Sequence, residues 1–193
     1  MTTINQQPIL QPTQQLGRLL PVLSDLVDRI DPEQLEASTP CEDFTVADIL
    51  DHMITLGGAF SYLFRGEEPP TAEGPVCSGG VPKVTFRRVM ADLLAAVESP
   101  GALERRITAP IGEMDGETFA RLVAFDGLIH GWDLARATGQ PYNPDPGVVA
   151  AVDGFARQAL TPDMRGEAFA EPTSVVGSVS PLDALVAFSG RTV

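Results

Sequence analysis

Leu16, Leu19, Leu20, Leu23 and Val27 fall three or four residues apart in "TQQLGRLLPVLSDLVDRI". That interval puts them on one face of a helix from about Thr13 to Ile30, with Pro21 an awkward residue that kinks or restarts it. The rhythm recurs. In "STPCEDFTVADILDHMITLGGAFSYLF", Ile49, Leu50, Met53, Leu56 and Phe60 repeat it to about Phe64, behind a Thr45/Asp48 pair that resembles a capping box. Gly57 and Gly58 weaken this second helix or let a neighbour approach closely. A third helix starts near Pro82 and stops at about Ser99. A fourth spans roughly Glu117 to Thr138 and ends at Gly139. A fifth fits 146–160, and a short last one begins with Ser180 as cap and Pro181 at its first position. Strand signals are few: "RRITAPIGEMDG" reads as irregular, with room for a short extended piece. Helices that each carry one apolar face bury it against one another. The expected fold is therefore all-α, a four-helix bundle with one or two extra short C-terminal helices.

The chain has 193 residues, enough for one domain with a sizeable core. Residues 1–12 read as a loose N-terminal segment and residues 13–193 as a single helical domain. Residues 66–81, "GEEPPTAEGPVCSGGV", form a long Pro/Gly-rich loop of the kind that is often functional. The net charge of −13 opposes nucleic acid and anionic membrane surfaces, since both need clustered Lys and Arg. It leaves room for a small anionic ligand, which needs only one or two local arginines. No start segment resembles a signal peptide, no stretch is long and apolar enough for a membrane span, and two cysteines are too few for a disulfide framework. The expectation is a soluble cytoplasmic protein with reduced thiols.

Polar residues interrupt the apolar face of the fourth helix. Asp126 and His130 are four apart and His130 and Asp133 three apart, so all three share one stripe with Phe119, Leu122 and Ala137. A carboxylate buried there is costly unless it is paired or metal-bound. The chain has two histidines in all. The other, His52, lies in the second helix at the edge of an apolar stripe. An antiparallel bundle can bring it opposite Asp126 and His130. Two imidazoles and one carboxylate leave an open position on zinc, as catalytic sites do, and the same set suits iron(II), nickel or manganese. The plainer reading is a buried Asp126–His130 ion pair with His52 as a satisfied core histidine. Asp133 and Asp48 are weaker ligand candidates. Each could instead support the imidazole beside it as a hydrogen-bond acceptor, or face solvent.

Trp132 reads as core. Cys41 precedes the second helix by a distance of roughly 16 Å from His52 at 1.5 Å per residue, too far for both to hold one ion. It reads as a small buried residue, and Cys77 receives no role. No nucleophile elbow and no phosphate-binding Gly-rich loop is present.

Taken together, "STPCEDFTVADILDHM" and the later "LIHGWDLARATGQ" resemble the DinB-like metal-binding superfamily. More narrowly, they resemble the N-terminal-domain group of the mycothiol-dependent maleylpyruvate isomerases of actinobacteria. The closing "SPLDALVAFSGR" is similar to that group's last helix, so the likeness runs from about residue 12 to 191. It implies a DinB-like four-helix bundle with a three-ligand metal site, its ligands falling on His52, Asp126 and His130. The DinB name implies no DNA chemistry. The resemblance further implies a divalent metal, zinc first among the candidates, and a small thiol such as mycothiol as co-substrate. The function it suggests is a metal-dependent thiol S-transferase or isomerase-like enzyme acting on a small electrophile. Arg65, Arg121 and Arg136 are then candidates for an anionic group of substrate or cofactor, or are surface salt bridges. The alternative function is a non-catalytic metal- or ligand-binding bundle. A homodimer is left open.

Two features depart from the group. Relatives carry Glu or His where this chain has the shorter Asp126. The isomerases proper have a further C-terminal domain, whereas the stretch after Gly139 matches the short relatives. Maleylpyruvate isomerisation itself is therefore not the expected reaction.

Overall fold

The computed structural model describes residues 10–70, 76–109, 111–160, 165, 170–175 and 177–193. Residues 1–9 of the segment expected to be loose, and 71–75 of the long loop, lie outside these.

Four long helices form where the periodicity places them, each bounded by local chemistry. Helix α1 (Pro12–Asp28) starts on a proline and runs unbroken through Pro21, which lies on its exposed face. The backbone bond that Pro21 cannot donate is thus lost where water can replace it. Helix α2 (Val46–Arg65) begins with the Thr45/Asp48 capping box and ends at Gly66, whose φ of 75° is left-handed. Helix α3 spans Lys83–Val97. Helix α4 (Gly116–Thr138) is capped by the Asp115 side chain, which accepts from the Thr118 amide. It closes on Gly139 at φ 67°.

Helices α5 (Pro146–Ala159) and α6 (Pro181–Phe188) follow, each with a side-chain cap and a first-turn proline. Among the described residues no helix is long and apolar enough to cross a membrane.

One expectation needs correction. The segment read as irregular folds into an antiparallel hairpin, β1 (Arg106–Ala109) and β2 (Gly112–Asp115), with Ile107 opposite Met114. It leads directly into the Asp115 cap, so the hairpin sets where α4 begins.

Helix α4 is the central element. Almost every residue from Phe119 to Ala135 is buried, whereas α1, α2 and α3 bury one face each. Helix α1 packs on α3 and α4, and α2 packs on the same two. Close approach depends on small residues. A Cβ at Gly131 would fall 2.5 Å from Leu23 Cδ2 and 2.4 Å from Tyr142 Oη, so only glycine lets α1 and Tyr142 meet α4 there. Gly57 serves the same end for α3, with Met90 Cε at 3.0 Å from the equivalent point.

Candidate metal centre

The capping box fixes the start of α2, and His52 follows two turns later on the side facing α4. On α4, Asp126 and His130 project from successive turns toward it. Asp126 Oδ1 stands 3.5 Å from His52 Nε2 and 3.4 Å from His130 Nε2. The two imidazoles meet edge to face, with centroids 4.9 Å apart. One donor atom from each of the three residues lies within 4.8 Å of the others.

Asp133, fully buried, lies 3.1 Å from His130 Nδ1 through Oδ2. Arg191, near the end of the chain, donates to both oxygens of that carboxylate, at 3.0 and 3.4 Å.

Burial alone would raise the Asp126 carboxyl, but the charge of His130 and the hydrogen bond and charge of His52 outweigh it and hold the carboxyl below its ordinary range. Burial pulls His52 down, and Asp126 more than reverses this, so its imidazole is raised. The site thus favours a carboxylate with positive charge around it.

The donor set fits a metal ion. In the neutral imidazole whose Nδ1 donates to Asp133, Nε2 presents a lone pair toward Asp126 Oδ1. Two acceptors so placed repel unless a proton or a cation lies between them. At 3.4 and 3.5 Å the contacts are longer than ordinary N–H···O bonds. Zinc–nitrogen bonds of about 2.0–2.1 Å at tetrahedral angles give donor–donor edges of about 3.3–3.4 Å, close to what is seen. The outer carboxylate on the second imidazole nitrogen is the usual support for a ligating histidine.

The other sequence candidates divide. Asp48 is occupied by the cap: its Oδ2 accepts from the Thr45 amide and hydroxyl, and the structure gives it no bond to His52. Arg65 binds Asp92, Arg121 binds Glu117, and Arg136 lies 5.1 Å above the Trp132 ring. Two of these guanidiniums are thus held in salt bridges and the third is stacked on an indole. Trp132 is core, its indole donating to Asp183.

The structure sets Cys41 beside His130 and Asp133 rather than beside His52. Its sulfur lies within 4.8 Å of a ring nitrogen of His130 and an oxygen of Asp133. The chain folds back before α2 to bring it there. Ser38 bridges to Thr45, and Asp43 takes a left-handed φ of 65°. The Cys41 thiol is raised, chiefly by burial, with Asp133 and Asp126 adding to this and Arg191 opposing it. Cys77 is pushed up to about 12, by burial first and then by Asp51. Asp51 also ties down the end of the long loop, accepting from the amides of Val76 and Cys77.

Arg191 went unassigned in the sequence. The signal was available: a carboxylate on the buried stripe needs a cation, and "AFSGR" in the closing motif supplies one.

Two clefts meet at His52. One, of about 390 Å3, is lined by residues of α2, α4 and the hairpin and is apolar apart from His52 and Asp126. The other, of about 300 Å3, is lined by Phe44, Asp48, Asp51, His52, Thr55 and Leu56.

Comparison with known proteins places this arrangement in context. Residues 16–135 match the family model described as the mycothiol maleylpyruvate isomerase N-terminal domain. Two proteins of Mycobacterium tuberculosis, from strains CDC 1551 / Oshkosh and ATCC 25618 / H37Rv, both described as uncharacterized, are each 30% identical over 175 residues. The match covers 87% of this chain and 91% of each relative. The fold is similar to the crystal structure of the mycothiol-dependent maleylpyruvate isomerase, with a TM-score of 0.60 and 16% identity. That match covers 79% of this chain and 71% of that one. A histidine-to-alanine variant of the same enzyme matches with a TM-score of 0.59 at the same identity and coverage.

Proposed function

Because the chain belongs to the mycothiol maleylpyruvate isomerase N-terminal domain family, we propose that it is a divalent-metal-dependent enzyme joining a small thiol of the mycothiol type to a small electrophile, by S-transfer or isomerase-like chemistry. The observation that supports this reading most directly is the Asp126 oxygen placed between two imidazole nitrogens, one of them backed by a buried carboxylate, at the edge of a cleft. His52, Asp126 and His130 would hold the metal, with zinc the best match to the donor spacing.

When bound, a divalent ion favours thiolate over thiol and so supplies a nucleophile at neutral pH. The chain's own residues do the remainder. Asp133 fixes the tautomer and ring angle of His130, and Arg191 keeps Asp133 in place. His52 borders both clefts, so a thiol on one side and an electrophile on the other would meet at its ring. The wall of the larger cleft is apolar, so an occupant would displace water from beside His52 and Asp126. Cys41 and Cys77 are both free, which suits a reducing cytoplasm.

Elemental mass spectrometry of tag-free wild type and His130→Ala tests the premise. Near-stoichiometric metal is expected in the first and its loss in the second. Transfer of mycothiol to a panel of electrophiles by the metal-loaded wild type completes the test. If neither protein retains metal after incubation with zinc, nickel and manganese, the metal-dependent reading fails.

A further inference from the structure

The larger cleft offers an anion no Lys or Arg among the described residues. Of the residues lining it, only His52 and Asp126 are polar. Leu56, Phe60, Ile111, Phe119, Leu122 and Phe125 supply most of the wall. Among the described residues, no Lys or Arg reaches it. The three arginines that the sequence offered for this duty are engaged elsewhere with Asp92, Glu117 and Trp132, and Arg191 is bound to Asp133.

An anion entering this cleft would lose hydration and gain at most the His52 imidazole, which already faces Asp126, and it would lie against the Asp126 carboxylate. A divalent ion at the triad would not alter this. Two neutral imidazoles and one carboxylate leave it a single positive charge, which a thiolate would neutralise.

We propose that the larger cleft binds an uncharged, apolar molecule of two or three rings, and that the electrophile is of this class rather than a carboxylate. Calling the occupant the electrophile rests on the proposed function; the cleft's preference for apolar ligands does not. The volume of about 390 Å3 falls in the range of small-molecule sites, which are mostly apolar with a few placed polar groups. Ile111, in the turn of the hairpin, is 46% exposed and forms the outer wall. No packing in the core depends on it, so it can be altered without disturbing the bundle.

The probe is N-phenyl-1-naphthylamine, uncharged and fluorescent in apolar surroundings, titrated into the full chain with and without zinc. Saturable binding is expected in both states. Ile111→Asp should weaken it about tenfold by placing a carboxylate in the wall. Val84→Asp, an equivalent change at a position 84% exposed on α3, should leave it unaltered. Maleate and succinate should not displace the probe at millimolar concentration. Circular dichroism melts confirm that each variant is folded.

Absence of saturable binding, wild-type affinity in Ile111→Asp, or displacement by the dicarboxylates at micromolar concentration would each overturn the proposal. Probe binding without any metal retention would sink the metal reading alone. Metal retention without probe binding would sink this inference alone.

Discussion

His130 separates two aspartates of the same helix into unlike surroundings. At its Nε2 edge, Asp126 is 40% exposed, faces a second imidazole and borders a cleft. At its Nδ1 edge, Asp133 is fully buried, paired with Arg191 and close to Cys41. The residue type, the helix and the histidine are common to both. The difference comes from what packs against each side: α2 brings another imidazole, whereas the residues after α6 bring a guanidinium. A carboxylate already matched by a permanent cation is suited to hold a ligand in place. One facing two imidazoles has no permanent cation and is suited to be a ligand.

The largest effect expected from this contrast is on stability. Asp133→Ala removes a fully buried carboxylate, leaves the largely covered Arg191 guanidinium without its partner and frees the His130 ring, at a cost of about 3 kcal/mol. Asp126→Ala, in metal-free protein, removes a half-exposed carboxylate and should cost less than about 1 kcal/mol. Urea denaturation in the presence of chelator measures both. Arg191→Ala should be nearly as costly as Asp133→Ala, and the double variant far less than additive. Equal losses from Asp126→Ala and Asp133→Ala would erase the distinction between the two edges.

Metal affinity should reverse the ranking. Asp126→Ala and His52→Ala remove ligands and are expected to abolish measurable zinc binding by calorimetry. Asp133→Asn keeps all three donors and should lower affinity only about 10–100-fold, the usual cost of losing an outer acceptor. At zinc concentrations about 100 times Kd, wild type should gain about 2.7 kcal/mol of stability. Asp126→Ala should gain none. Undiminished binding in Asp126→Ala would move the site to the Cys41 side of His130.

Much of this was legible in the sequence, for reasons that vary by element. The helices were, because periodicity, the Thr45/Asp48 box, Ser180–Pro181 and Gly139 are all local signals. The meeting of His52 with Asp126 and His130 was also legible. Spacing on one helix fixes a face, and the chain holds a single further histidine to oppose it. The hairpin was not, because strands of four residues are too short for an alternation to stand out. Ile107 and Ala109 alone bury themselves on β1. The place of Cys41 beside His130 was not legible, because its distance from His52 along the chain says nothing of where a left-handed Asp43 turns the backbone. Arg191 and the apolar cleft depend on elements far apart in sequence converging in space. In the case of the cleft these are α2, α4 and the hairpin.

Oxidising or alkylating reagents should distinguish the two edges more weakly. The Cys41 thiol, raised by burial, should react with iodoacetamide at pH 7.5 well below the rate of a free thiol. Zinc should change that rate little if the ion sits at the Nε2 edge. Near-complete protection of Cys41 by zinc, read by mass spectrometry, would show that the thiol itself is a ligand.

The smallest effect expected is on the pH dependence of the metal-free protein, and its sign is fixed by the two shifted groups. Asp126 is held below its ordinary value, so its contribution is present above about pH 3.9 and is lost as pH falls through the lower folded value. His52 is raised, so its contribution is complete below about pH 6.5 and is lost as pH rises through the higher folded value. The stability difference between wild type and Asp126→Asn should therefore be greatest between about pH 4 and 6.5 and shrink at higher pH, as His52 loses its proton. Metal binding runs the other way, since imidazoles must be neutral to ligate and zinc affinity rises with pH. Melting curves at pH 5.5 and 8.5, in chelator and in zinc, should then cross: the Asp126 edge is held by a proton on His52 in acid and by the ion in mild base. A wild-type advantage over Asp126→Asn in chelator that instead grew from pH 5.5 to 8.5 would mean that Asp126 is satisfied by something other than the two imidazoles, and its edge would no longer differ in kind from that of Asp133.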